Sequence, residues 1–281
     1  MKIGIVGLGL MGASFGRALH KTTNHTVYGC DINENVTLKA QLLSAIDKPL
    51  TLKNACKLDM LVISVYPRNF KEVAEKYLPY LKKGAILLDF CGNKRNILSQ
   101  MKSLSKNYPD VVFIGGHPMA GREFSGIDHS QSSLFNKASM ILVPVSDNIF
   151  IESELKQLFL SIGFEKVVVT DATTHDKNIA FTSQLCHIVS SAFIKSPTAE
   201  QHFGFSAGSY KDMTRVARMN SDMWTELVFD NGDYVLKELD TLIDNLKEYR
   251  TAIKDKNEQQ LKQLFNDGNN RKLQIDIGRN K

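Results

Sequence analysis

Several features that would narrow the field are missing from this sequence of 281 residues. Its four cysteines, Cys30, Cys56, Cys91 and Cys186, are scattered, and no two form a CxxC pair. Neither a disulfide framework nor a zinc knuckle is suggested, and reduced thiols in a cytosol fit best. No set of side chains stands at metal-ligand spacing, so no metal is expected. No apolar run is long enough to span a bilayer. Met1 leads straight into a strand and a glycine turn, which leaves no expected room for a signal peptide. The formal charge is only +5, and no basic block is interleaved with aromatics, as a nucleic-acid footprint would require. The mild positive charge fits a solvated surface with some pull on anionic substrates. The expected protein is cytoplasmic, with a small-molecule substrate and neither nucleic acid nor membrane as partner.

What is present is an ordinary globular composition, 43% hydrophobic and 23% charged, in a chain long enough for two domains. The first part alternates strands and helices. Lys2–Val6, Thr26–Cys30, Asp59–Val65, Ala85–Leu88, Val111–Ile114, Met140–Val145 and Lys166–Val169 are short apolar runs. Helical patterns lie between several of them, at Met11–His20, Asn69–Leu81 and Glu152–Leu160. Alternating βα units predict a doubly wound, mostly parallel α/β sheet with helices on both faces. After Val169 no convincing strand returns. Ile179–Phe193, Tyr210–Arg218, Met223–Tyr249 and Asn257–Gln274 read as helices. The expected division is therefore a Rossmann-type nucleotide-binding domain over 1–171 and an all-α domain over 172–281. The two long final helices are the natural place for a homodimer interface.

Gly7-Leu8-Gly9-Leu10-Met11-Gly12 follows the first strand and opens a helix. A GxGxxG pattern alone is weak, but this is the context in which it binds a dinucleotide. Gly7 permits the tight turn, Gly9 lets a pyrophosphate approach the backbone, and Gly12 lets the helix pack on the sheet. The helix start then offers free N–H groups and its positive dipole end to the phosphates. Asp31 closes the second strand, 24 residues after Gly7. Its carboxylate suits the adenosine ribose hydroxyls and repels a 2′-phosphate, and no arginine follows in Ile32-Asn33-Glu34-Asn35, so NAD is expected rather than NADP.

Gly115-Gly116-His117-Pro118-Met119-Ala120-Gly121-Arg122-Glu123 follows the strand Val111–Ile114 and continues into Phe124-Ser125-Gly126. Ligands of open α/β sheets bind beyond the carboxyl ends of strands. The reading is a glycine-rich loop around a ligand, with His117 as proton acceptor. Further on, Ser183, His187 and Ser191 recur every four residues and share one helix face. Arg215 lies three residues after Asp212, and arginine grips carboxylates at two points. Trp224 is the only tryptophan.

The His117-Pro118-Met119-Ala120-Gly121-x-Glu123 run resembles the signature of the prephenate dehydrogenase family, which includes the arogenate dehydrogenases. Other pieces resemble the family in order: Asp89-Phe90-Cys91-Gly92-Asn93-Lys94, His175-Asp176 followed by Ser183-Gln184-Leu185-Cys186-His187, Gly208 to Arg215, and Met223-Trp224. The resemblance runs from Lys2 to about Trp224. It departs at Gly92, where many members carry a serine. The resemblance implies NAD-dependent oxidative decarboxylation of prephenate to 4-hydroxyphenylpyruvate on the route to tyrosine. His117 would be the catalytic base. His187, Arg215, Gly208, Trp224, Glu123 and Asp212 would surround the substrate. Arogenate dehydrogenase is the near alternative. A hydroxyacid-type reductase is disfavoured by the His-Pro-Met-Ala-Gly run, and a non-catalytic NAD-sensing protein by the presence of both His117 and Arg215.

Overall fold

The computed structural model describes residues 1–122 and 124–279. The strands are β1 (Lys2–Val6), β2 (Thr26–Cys30), β3 (Lys48–Pro49), β4 (Met60–Ile63), β5 (Ile86–Asp89), β6 (Val112–Pro118), β7 (Ser139–Pro144) and β8 (Lys166–Val169). The helices in the first part are α1 (Leu10–Thr22), α2 (Glu34–Leu42), α3 (Leu52–Ala55), α4 (Phe70–Tyr77), α5 (Arg95–Ser105) and α6 (Ile149–Ser161). Then come α7 (Ala172–Ile179), a π-helical turn over Ala180–Leu185, α8 (Cys186–Phe193), α9 (Gly208–Thr214), α10 (Ser221–Asp230), α11 (Gly232–Lys254) and α12 (Glu258–Arg279).

The strands form one sheet in the order β3-β2-β1-β4-β5-β6-β7-β8. All neighbours run parallel except β6 and β7. Both faces of the central strands β4 and β5 are covered, which is why they read as unbroken apolar runs, whereas β3 and β8 at the two sheet edges are largely exposed. Along β4, Met60 and Val62 join one core while Leu61 and Ile63 join the other, the two-residue period of a strand buried on both sides. Chain order reverses between β1 and β4, and the crevice of such a sheet opens there at the carboxyl ends.

Two expectations are corrected here. The strand expected to stop at Ile114 continues to Pro118, because Gly115 to Pro118 pair antiparallel with Val143 to Met140. The segment carrying His117 is therefore strand, not loop, and its glycines serve close packing. A Cβ at Gly116 would come within 2.6 Å of the Asp89 carbonyl oxygen. The single helix expected over Met223–Tyr249 is instead α10 and α11, separated at Asn231, whose side chain is buried in a hydrogen-bond network. Asp171, where the sequence changes character, caps α7 by accepting from the backbone N–H groups of Thr173 and Thr174, both at 2.9 Å.

The chain separates into two compact units, Met1–Gly232 and Asp233–Lys281. The second is a helical hairpin in which the Tyr249 hydroxyl donates to the Leu264 carbonyl at 3.1 Å. It leaves Leu236, Ile243, Leu246, Ile253, Phe265 and Leu273 exposed. No described helix is long and apolar enough to cross a membrane.

Candidate active site

The glycine turn joins β1 to α1. Gly7 has φ +91°, a left-handed conformation that other residues rarely adopt, and a Cβ there would also collide with the Ser64 carbonyl. A Cβ at Gly12 would collide with the Gly7 carbonyl, so the helix can start this close to the strand only with glycine. Gly9 differs: nothing lies within 4 Å of its missing Cβ. It is the N-cap of α1, makes no side-chain cap, and no acidic residue occupies the first turn, where Leu10, Met11 and Gly12 stand. The helix start is thus bare, electropositive and open, and it suits a pyrophosphate. Asp31 follows β2. Its carboxylate accepts from Leu8 N–H at 2.8 Å and Asn33 N–H at 3.0 Å, which fixes it beside the turn. These residues fit the adenosine half of a dinucleotide.

The next strand ends carry the titratable groups. Asp89, the last residue of β5, and Lys94 are both 0% exposed and form an ion pair. Asp89 also accepts from the backbone N–H groups of Cys91 at 2.7 Å and Gly116 at 3.1 Å, so its charge is met on several sides. His117, on β6, is part-buried. Its Nδ1 lies 2.9 Å from Nε2 of His175 on α7, and Nδ1 of His175 lies 2.7 Å from Oδ1 of Asp176. Asp176 does a second task. It accepts from the backbone N–H groups of Lys94 at 2.7 Å and Arg95 at 2.8 Å, capping α5 from another helix. Burial opposes the charge on Asp176, but the bonds from His175, Arg95 and Lys94 outweigh it and hold the carboxyl below its usual range. Burial holds His117 well below the ordinary histidine value, helped by the neighbouring His175 and Lys94. His175 is lowered too, again by burial, although Asp176 pulls the other way.

A polar network that sequence reasoning missed ties these strand ends to the helices. Gln184, inside the π turn, donates to Asn93 and to the Leu227 carbonyl, both at 3.0 Å, and accepts from Asn231 at 2.7 Å. Asn231 also donates to the Asp176 carbonyl at 2.9 Å and accepts from Arg95 at 2.8 Å. Four of these side chains, Asn93, Asp176, Gln184 and Asn231, are buried. A buried network is favourable only when its members are satisfied, and here the partners interlock. The one sequence signal was the amides themselves, at positions where apolar residues would be expected.

His187 and Trp224 stack with ring centroids 3.7 Å apart, and Nδ1 of His187 donates to the Ser183 carbonyl at 2.9 Å. His187 titrates below its ordinary value through burial, opposed by that Ser183 bond and aided by the positive charge of Arg215 nearby. Of the residues expected around the substrate, the structure thus brings His187 and Trp224 into contact and sets Arg215 near enough for its charge to act on His187. Arg215 sits one residue beyond the end of α9, which stops at Thr214, so it does not share a helix with Lys211 and Asp212 throughout as expected. Gly208 opens α9, and Gly208, Asp212 and Arg215 are exposed. Glu123 lies outside the described residues. Among the described residues no hydrogen bond or ring contact joins His117 to His187 or Trp224, and no group of three or more His, Cys, Asp or Glu side chains could hold a metal ion. At Gly92 a Cβ would meet the Leu227 side chain of α10 at 3.0 Å, so a serine there would need that side chain to give by a few tenths of an ångström.

Comparison with known proteins agrees with this geometry. The family profile described as the prephenate dehydrogenase nucleotide-binding domain matches residues 15–169, and that of the prephenate dehydrogenase dimerization domain matches 171–267. The cyclohexadienyl dehydrogenase of Zymomonas mobilis is 30% identical over 97% of this chain and 95% of its own length. The crystal structure of prephenate dehydrogenase from A. aeolicus, in complex with hydroxyphenyl propionate and NAD+, superposes with a TM-score of 0.84 at 26% identity and covers 98% of each chain. That of Synechocystis arogenate dehydrogenase gives 0.79 at 25% identity, covering 98% of this chain and 100% of that one. With a glycine turn at one end of its crevice and a part-buried histidine chain at the next strand ends, this chain belongs to the prephenate dehydrogenase family.

Proposed function

We propose that the chain oxidises prephenate to 4-hydroxyphenylpyruvate and carbon dioxide, reducing NAD. The observation that carries this reading is the His117–His175–Asp176 chain, which sets a neutral, part-buried histidine at the sheet edge that also bears the glycine turn. Bound NAD would supply the hydride acceptor for the hydroxyl-bearing ring carbon. Gly7, Leu8, Gly9, Leu10, Met11 and Gly12 would hold its pyrophosphate and Asp31 its ribose. His117 takes the proton of the ring hydroxyl. His187 and Trp224 form a flat wall for the substrate, with Gly208 and Asp212 beside it, and Arg215 meets a carboxylate. Loss of carbon dioxide makes the ring aromatic, so the protein's task is positioning and charge placement. Arogenate is the second reading, favoured by the likeness to Synechocystis arogenate dehydrogenase and to the cyclohexadienyl enzyme of Zymomonas mobilis. It differs only in an amino acid side chain in place of the keto acid.

In this reading residues 1–171 bind the dinucleotide, and 172–281 bind substrate and pair two copies of the chain in the cytoplasm. The exposed apolar side chains of α11 and α12 support a homodimer, as does the description of the matched second domain. The test is an absorbance assay at the NADH band with prephenate and arogenate side by side. Turnover of prephenate with NAD, faster than that of arogenate, is expected. Turnover of arogenate alone would replace this reading by the second.

A further inference from the structure

The contacts around His117 dictate where its proton sits. Asp176 is ionised: its two oxygens accept backbone N–H groups from Lys94 and Arg95. It has no proton to give, so in the 2.7 Å contact with His175 the histidine Nδ1 is the donor. A neutral imidazole with its proton on Nδ1 carries a lone pair on Nε2. That Nε2 faces Nδ1 of His117 at 2.9 Å, so His117 must donate there. A neutral His117 that donates through Nδ1 has a bare Nε2.

We propose that His175, backed by Asp176, is a positioning residue that holds His117 in the Nδ1–H tautomer and leaves Nε2 as the single proton acceptor offered to the substrate hydroxyl. The inference rests on the reading of His117 as the base. The opposite arrangement shows why it matters. A charged His175 would donate from both nitrogens, Nδ1 of His117 would have to accept, and the proton of neutral His117 would move to Nε2. The base would then present a hydrogen instead of a lone pair. The surroundings oppose that state. His175 is buried, which disfavours its charge, and the positive charge of Lys94 acts the same way on both rings; Asp176 and Asp89 pull His175 the other way without outweighing its burial. Asp176 is the acid in contact with His175, and among the described residues no carboxylate touches His117. Because Asp176 also caps α5, it would be a poor choice for mutation; His175 isolates the effect.

The test combines a spectroscopic reading with kinetics. In protein carrying 15N-labelled histidine, with signals assigned through His117→Asn and His175→Gln, His117 should show a protonated Nδ1 and an unprotonated Nε2, with and without NAD. His175→Gln keeps an acceptor oxygen for His117 and should retain kcat within about threefold, whereas His175→Leu removes it and should lower kcat about tenfold or more with little change in KM, as expected when a base loses its tautomer. A proton on Nε2 of His117 in the wild type overturns the proposal, as does a folded His175→Leu enzyme with wild-type kcat. If His175→Leu does not fold, the wild-type tautomer decides alone. If His117→Asn keeps its kcat, the reading of His117 as the base fails instead, and the tautomer spectrum still stands as measured.

Discussion

The carboxylate of Asp31 accepts a hydrogen bond from the backbone N–H of Leu8 at 2.8 Å, so the acid proposed to select the cofactor is fastened to the turn proposed to bind it. Ile32 beside it is fully exposed. Asp31→Ser combined with Ile32→Arg removes a repelling charge and supplies a partner for a 2′-phosphate. KM for NAD should rise and KM for NADP fall, measured as initial rates with each cofactor. Wild-type enzyme that uses NADP as well as NAD would contradict the role given to Asp31.

Two glycines of the turn make separable predictions. Gly12→Ala forces a Cβ against the Gly7 carbonyl and should destabilise by about 1–3 kcal/mol while weakening NAD binding. Gly9→Ala has open space and should leave Tm unchanged, yet still weaken NAD, because the methyl occupies the room kept for the pyrophosphate. Thermal melts with and without NAD distinguish the two. Unchanged NAD affinity in Gly9→Ala would place the dinucleotide elsewhere.

Arg215 should act on substrate and not on cofactor. Its removal leaves a substrate carboxylate without its partner, a loss of about 2–5 kcal/mol for a desolvated pair and toward the lower end for an exposed arginine. Arg215→Ala should raise KM for prephenate by about tenfold or more, with Arg215→Lys recovering part. Affinity for NAD, measured by fluorescence titration, should not move. A folded Arg215→Ala enzyme with wild-type KM would remove this residue from the substrate site.

Stability should depend on pH through the buried histidines. Folding holds His117 and His175 below the ordinary value of 6.5. Below pH 6.5 the unfolded chain therefore binds more protons than the folded one. The stability present above that value is lost as pH falls toward the folded-state values. Asp176, held below 3.8 in the fold, adds a further loss in more acid solution. Urea unfolding between pH 8 and 5 should show stability falling on the acid side, more shallowly in His175→Gln. The acid limb of kcat/KM should lie below 6.5 for the same reason.

The elements that form the proposed cofactor site were legible in the sequence because their causes are local. A strand, a glycine turn and a helix follow one another within 22 residues, and Asp31 lies at the end of the next strand. The extent of β6 was not legible, because Gly115 to Pro118 are strand only through pairing with β7, and Gly-Gly and Pro signal a loop to any local reading. The break at Asn231 was hidden inside a continuous helical pattern for a similar reason: the side chain is drawn into bonds with Gln184 and the Asp176 carbonyl, far away in sequence. Within the site, His117, His187, Trp224 and Arg215 stood out by residue type and by family resemblance. The role proposed for His175 did not, since it depends on which nitrogen faces which partner, and only the folded geometry gives that.

The central claim, that His117 removes the hydroxyl proton as hydride leaves for NAD, is tested most directly by the steady-state kinetics of His117→Asn with prephenate and NAD. The variant lacks the free ring nitrogen but keeps a side chain able to bond His175. Its kcat should fall by about a hundredfold or more, the usual scale for loss of a general base, while KM for prephenate changes far less. A folded His117→Asn enzyme with kcat within a few-fold of wild type would contradict the account.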